Sequence, residues 1–139
     1  MRKKYVWLLE ARFGNRFTFS FTVDEETFAY EVPALILQPL IENAINHGLK
    51  EKEQNGFVHI AVEIKNNIII FSVHDNGSGM SNDEVQRILS LREPEKGIGL
   101  TNVIRRIELA TNGKGKVSID SRIGEGTNVT ISIPTEEMQ

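Results

Sequence analysis

The sequence predicts an α+β fold: a two-layer α/β sandwich with a mixed, mainly antiparallel sheet and its helices on one face. Three observations carry this reading: period-two apolar alternation, period-3.6 stripes, and the order β-α-β-β-α-α-β-β that they produce. Phe17, Phe19, Phe21 and Val23 alternate with Arg16, Thr18, Ser20 and Thr22, which turns one face of the first strand to a core. The first helix carries Leu37, Leu40, Ile41, Ala44 and Ile45 on one side, with Glu42, Asn43, Asn46 and Lys50 on the other. Pro39 leaves two options: the helix begins there, where a missing N–H costs nothing, or it kinks.

Val58, Ile60, Val62 and Ile64 repeat the strand pattern. Asn66-Asn67 then reads as a hairpin turn, because asparagine tolerates positive φ. The next run, Ile68 to Val73, is apolar on both faces and is expected at the centre of the sheet. Ser81, with Glu84 three residues later, is a capping box that opens a helix through Val85 and Ile88 to about Leu91. A third helix buries Leu100, Val103, Ile104 and Ile107 and stops at Asn112-Gly113. Two closing strands, Lys116 to Arg122 and Thr127 to Ile133, are joined by Gly124-Glu125-Gly126 and ended by Pro134. The opening segment, Tyr5 to Phe13, has a helical pattern and reads as the tail of an upstream helix.

A chain of 139 residues fits one domain, able to bury about two-thirds of its unfolded surface. It contains no cysteine, so disulfides and thiolate metal sites are excluded. No N-terminal apolar run suggests a signal peptide or a membrane span, and a cytosolic setting is expected. The matches to the glycosylation sequon at Asn76-Gly77-Ser78 and Asn128-Val129-Thr130 are therefore read as accidental. The formal charge of -3 argues against a nucleic-acid partner, which needs a basic surplus. It does not argue against a nucleotide, whose charge is met mostly by a metal and backbone dipoles.

Four short segments follow one another: Glu42 to Gly48, Asp75 to Met80, Gly97 to Leu100, and Gly124 to Thr127. Asn43 stands on a polar stripe that is either a solvated face or, as a lone neutral amide, a ligand suited to magnesium. Asp75 ends an apolar strand and enters Asn-Gly-Ser-Gly. This is either a plain turn or a place where backbone passes close to a ligand while the carboxylate accepts from an exocyclic amine. Gly97-Ile98-Gly99 lacks a preceding strand, and Asn102 replaces the third glycine of a dinucleotide fingerprint. Lys114-Gly115-Lys116 runs into Val117, so no phosphate-loop lysine motif is present. What remains is a flap, Glu93 to Lys96, closing onto a helix N-terminus. Gly126-Thr127 is open to a simple hairpin reading, and His47 to a structural one.

Together these segments resemble the Bergerat (GHKL) ATP-binding fold of gyrase, heat-shock chaperone ATPases, MutL and sensor histidine kinases. Pro33 to Gly48 and Leu8 to Phe17 resemble the LytS/YesM-type branch of two-component sensor kinases. The resemblance implies that Asn43 ligates Mg2+, that Asp75 binds adenine of ATP with Gly77 and Gly79 shaping that wall, and that Gly97 and Gly99 hinge a phosphate-facing lid. Asn46, His47, Met80, Lys96, Leu100 and Thr127 complete the implied nucleotide set, and Glu42 is the implied catalytic acid neighbour. Asn46 stands where relatives carry lysine, which leaves Lys50 or Lys96 as substitutes.

In the ATPase branches a glutamate one turn before the asparagine activates water. Here that position is Pro39, which favours phosphoryl transfer to a histidine over hydrolysis. Residues 1–14 would be the tail of a phosphoacceptor and dimerisation helix with its linker, and residues 15–139 the catalytic domain. The implied partners are that upstream domain, in an intact homodimer, and a response regulator; the domain alone would be monomeric and cytoplasmic. Membrane anchoring of the intact protein stays open. The alternatives are an anti-sigma-factor-type serine kinase and a non-catalytic nucleotide sensor on the same fold.

Overall fold

The computed structural model describes residues 17–29, 34–50, 52, 55–91 and 99–137. The expected helical tail, Tyr5 to Phe13, lies outside them. Five strands form one sheet in the order β1-β2-β3-β5-β4: β1 Phe17–Val23, β2 Gly56–Lys65, β3 Ile68–Asp75, β4 Lys116–Arg122 and β5 Gly126–Pro134. β1 runs parallel to β2 and every other pair is antiparallel, so the mixed, mainly antiparallel expectation holds. The helices are α1 Ala34–Asn43, continued by a π-helical turn over Ala44–Gly48, then α2 Asn82–Ser90 and α3 Gly99–Ala110.

Local chemistry accounts for the element boundaries. Asn66 and Asn67 take φ of 53° and 62°, the two left-handed residues of a tight turn whose twist suits a hairpin. Ser81 caps α2, its hydroxyl accepting from the Glu84 N–H at 3.2 Å. α3 ends where Asn112 and Gly113 turn left-handed and the Gly113 N–H closes back on the Glu108 carbonyl at 2.9 Å. Pro39 does not start its helix. α1 is already running from Ala34, so the proline removes one interior hydrogen bond.

β3 is central, as its composition predicts, between β2 and β5. Its two faces are not equivalent, however. Ile69, Phe71, Val73 and Asp75 are buried, whereas Ile68 remains 38% exposed and Ile70 and Ser72 are half-buried. The helices cover one face, and that face meets Leu40, Ile41, Ala44 and Ile45 of the first helical segment and Leu100, Val103 and Ile107 of α3 in a single core. Burying each such side chain contributes roughly 1.5–3 kcal/mol. In β1 only Phe17 is fully buried; Phe19, Phe21 and Val23 pack at the core's rim because β1 is an edge strand.

Candidate functional site

The site grows from the C-terminal end of β3. Alternation along the strand puts Asp75 on the helix-covered face, in register with Val58 of β2 and Thr127 of β5, and leaves it 3% exposed. Burial pushes its carboxyl above the ordinary carboxylate range. The Gly77 N–H bond at 2.8 Å, the neighbouring His74 and a backbone bond from Thr127 pull the other way without prevailing. A carboxyl this dry gains from any further donor that a ligand brings.

The chain after Asp75 is held in a shape only glycine permits. The Ser78 N–H donates to the Gly48 carbonyl at 2.8 Å, so tightly that a β-carbon on Gly77 would overlap that carbonyl. Gly79 sits at φ 71°, and a β-carbon there would run into the Arg122 carbonyl. Ser121 ties the remaining parts together. Its hydroxyl accepts from the Met80 N–H at 2.7 Å, donates to the Gly126 carbonyl at 3.0 Å, and lies 2.7 Å from the buried Thr127 hydroxyl. Asn76 instead clamps the start of β2, accepting from the Phe57 N–H and donating to the Asn55 carbonyl, both at 2.9 Å.

The opposite wall is the end of the first helical segment. Over Ala44–Gly48 the helix widens to π geometry, with the Leu49 N–H reaching the Ala44 carbonyl at 2.9 Å, a distortion common at functional sites. Gly48 is thereby pressed against Asp75: a β-carbon on it would lie 2.7 Å from the carboxylate. A hollow of about 280 Å³ results, lined by Asn43, His47, Gly48, Asp75, Ser78, Gly79, Met80 and Thr127, with Leu100 from α3 and Glu84 and Ile88 from α2. Past Asn43 and His47 a second hollow of about 250 Å³ runs between α1 and α3. Glu42, Asn46, Gly99, Asn102 and Arg106 line it.

Residues 31–137 match the family described as histidine kinase-, DNA gyrase B-, and HSP90-like ATPase. The chain belongs to that family. The sensor histidine kinase YpdA of Escherichia coli K12 is 34% identical over 134 residues, 96% of this chain and 23% of its own length. The LytS sensor protein of Enterococcus faecalis is 33% identical over 140 residues, 97% of this chain and again 23% of its own length. The chain thus spans about a quarter of the length of these relatives. The catalytic domain of histidine kinase ThkA superposes with a TM-score of 0.69 at 24% identity, over 96% of this chain and 90% of that one. The histidine kinase domain of the blue-light activated enzyme from Erythrobacter litoralis gives 0.71 at 17%, over 98% and 60%. Both show the GHKL fold. Within the family, the curated relatives that this chain resembles are sensor histidine kinases, which does not favour the serine-kinase and sensor-only alternatives.

The GHKL fold brings most of the sequence-predicted site residues around the two hollows. Asn43 and His47 border both; Asp75, Gly79, Met80, Leu100 and Thr127 line the first, and Glu42, Asn46 and Gly99 the second. Gly77 supports the wall from behind. Lys96, Gly97 and the flap from Glu93 lie outside the described residues. Lys50, offered as a substitute phosphate contact, is exposed and borders neither hollow. Sequence reasoning missed Ser121, Glu84, Ile88, Asn102 and Arg106. Only the last two carried a signal, standing three and seven residues after Gly99 on one face of α3.

The residues present fit a magnesium ion that is completed by phosphate. The Asn43 amide is half-buried, borders both hollows and makes no hydrogen bond among the described residues. Among those residues no group of three His, Cys, Asp or Glu side chains could hold a metal alone. Magnesium binds in that manner, through one or two protein oxygens with water and phosphates. Also among the described residues, no helix is long and apolar enough to cross a membrane.

Proposed function

We propose that this domain binds Mg-ATP with adenine against Asp75 and phosphates directed past Asn43, and delivers the γ-phosphoryl group to a histidine on an upstream domain of the same protein. The observation that carries this reading is the dry, hydrogen-bonded carboxylate of Asp75 facing a hollow that continues, at Asn43, into a second one. Asp75 accepts from the adenine amino group, and Thr127, locked by Ser121, supports the same side. Gly99 lets α3 come within contact of Asn43, where a β-carbon would stand 3.3 Å from its amide oxygen. Bound magnesium would supply charge neutralisation between phosphate oxygens. Glu42, half-buried with its carboxylate accepting from the Gln38 amide at 3.3 Å, is the proposed acid-base neighbour of the transfer. Pro39 borders the second hollow at the place from which a water-activating carboxylate would act, which supports transfer over hydrolysis.

Asn43→Ala should remove most of the magnesium-dependent part of ATP affinity, about tenfold, because the cation loses its protein oxygen. Titration calorimetry with and without magnesium checks this; equal affinities for both proteins in both conditions would refute the metal assignment.

The domain by itself should bind ATP without phosphorylating itself. His59 is engaged on the open sheet face by the Ser20 and Thr22 hydroxyls at 2.6 and 3.3 Å, and His74 stacks edge-on to Phe57. Both project away from the hollows, and His47 is part of the pocket helix. In-line transfer needs an acceptor approaching from beyond the γ-phosphate. Radiolabelled ATP should therefore label an upstream fragment of the same protein with an acid-labile, base-stable phosphate. Label on this chain alone, or on a serine, would overturn the histidine-kinase proposal. On this reading the intact protein works as a dimer with a response regulator as its downstream partner.

A further inference from the structure

The second hollow has a regular construction. α1 contributes Pro39, Glu42 and Asn43, the π-helical turn that continues it contributes Asn46, and α3 contributes Gly99, Asn102, Val103 and Arg106. Each set follows i, i+3, i+4, i+7, so each is one face of its helix, and the two faces meet across the hollow. Of the described residues around either hollow, Arg106 is the only lysine or arginine. Asp75, Glu84 and Glu42 are acidic, and the other polar groups are neutral amides, hydroxyls and His47. Arg106 is exposed and forms no ion pair among the described residues. It stands seven residues beyond Gly99, about 10 Å further along the helix axis from the point where α3 touches Asn43.

We infer that Arg106 is the cation that engages the terminal phosphate of the bound nucleotide, and that it makes the site prefer a triphosphate to a diphosphate. The inference rests on the proposed orientation of the nucleotide, base at Asp75 and phosphates past Asn43. With adenine at one end and Asn43 midway, the last phosphate lies furthest along α3, within the guanidinium's reach. A planar fork of N–H donors suits phosphate oxygens, and no other lysine or arginine among the described residues lines the hollow. This assignment fills the gap left at Asn46, where no charge is available.

The test compares ATP and ADP binding to the 139-residue chain by titration calorimetry in magnesium. Arg106→Ala should weaken ATP about tenfold and ADP by less than about twofold, since a charge-assisted pair to one phosphate is lost only with the triphosphate. Arg106→Lys should restore part of the ATP affinity, keeping the charge but losing the fork. Arg105→Ala makes the same change in net charge on an exposed neighbour outside both hollows, and should leave the ATP to ADP ratio unchanged. Equal weakening of ATP and ADP by Arg106→Ala, or weakening of neither, would overturn the role of Arg106 while leaving the nucleotide site intact. Failure of the unaltered chain to bind either nucleotide would overturn the site itself, and with it this inference.

Discussion

Asp75→Ala is expected to lower ATP affinity about 10- to 100-fold while the domain stays folded, the range set by losing a hydrogen bond to a charged, desolvated acceptor. The same contact should govern base choice. Guanine presents a carbonyl oxygen where adenine presents its amino group, so GTP would oppose two acceptors and should bind at least about tenfold more weakly than ATP. Asp75→Asn should narrow that gap, because an amide can donate as well as accept. Comparable calorimetric affinities of the unaltered chain for the two nucleotides would refute the assignment.

Stability should move in the opposite direction. Because burial raises the folded-state pKa of Asp75 above the ordinary carboxylate value, the folded chain holds the proton more tightly than the unfolded one. The protonated carboxyl's contribution is fully present below the unfolded pKa and is lost as pH rises through the folded one. Asp75→Asn has no such loss. Its melting temperature should equal or exceed that of the unaltered chain at pH 7, and the difference should shrink towards zero near pH 4. A variant markedly less stable at pH 7 than the parent would show that the carboxylate stabilises the fold rather than serving the ligand.

Phe71→Ala carries the largest expected effect on stability, a loss of about 3–5 kcal/mol. Phe71 is fully buried at the middle of the central strand, opposite Val62 on one side and Ile131 on the other, both buried. Its removal leaves a cavity that two paired neighbouring strands cannot close. Marginal stabilities are about 5–15 kcal/mol, so the variant should unfold at much lower urea. Asp75 lies four residues further on the same face of the same strand, yet its position is fixed by Gly48, Gly77 and Thr127 rather than by Phe71. ATP at a hundred times its dissociation constant should therefore restore about 2.7 kcal/mol. A loss below about 1 kcal/mol in urea titrations would contradict the packing described, against the larger cost such truncations carry.

Much of this architecture was determined by the sequence itself, wherever one local rule acted alone. Period-two alternation set β1 and β2, a continuous apolar run set β3, Asn66-Asn67 set the hairpin, Ser81 set the start of α2, and Asn112-Gly113 set the end of α3. Asp75, just ahead of two glycines, and Asn43, a neutral amide on the polar stripe of an apolar helix, were legible as candidates only because four such short segments follow one another in the chain.

Tertiary structure alone decided the rest. Whether the helix began at Pro39 depended on the packing of Leu40 and Ile41 into the core, which carries the helix through the proline. The π-helical turn at Ala44–Gly48 has no sequence signal; it accompanies the Gly48 carbonyl's bond to Ser78 and the close seat of Gly48 on Asp75. Ser121 lies 46 residues beyond Asp75 in a chain with many serines, and becomes part of the wall only because β4 pairs with β5 beside it. Arg106 looked like one of several exposed cations until α3 lay along α1. Contacts within one turn or one strand are written in neighbouring residues, whereas a site assembled between elements exists only once the core has fixed their relative positions.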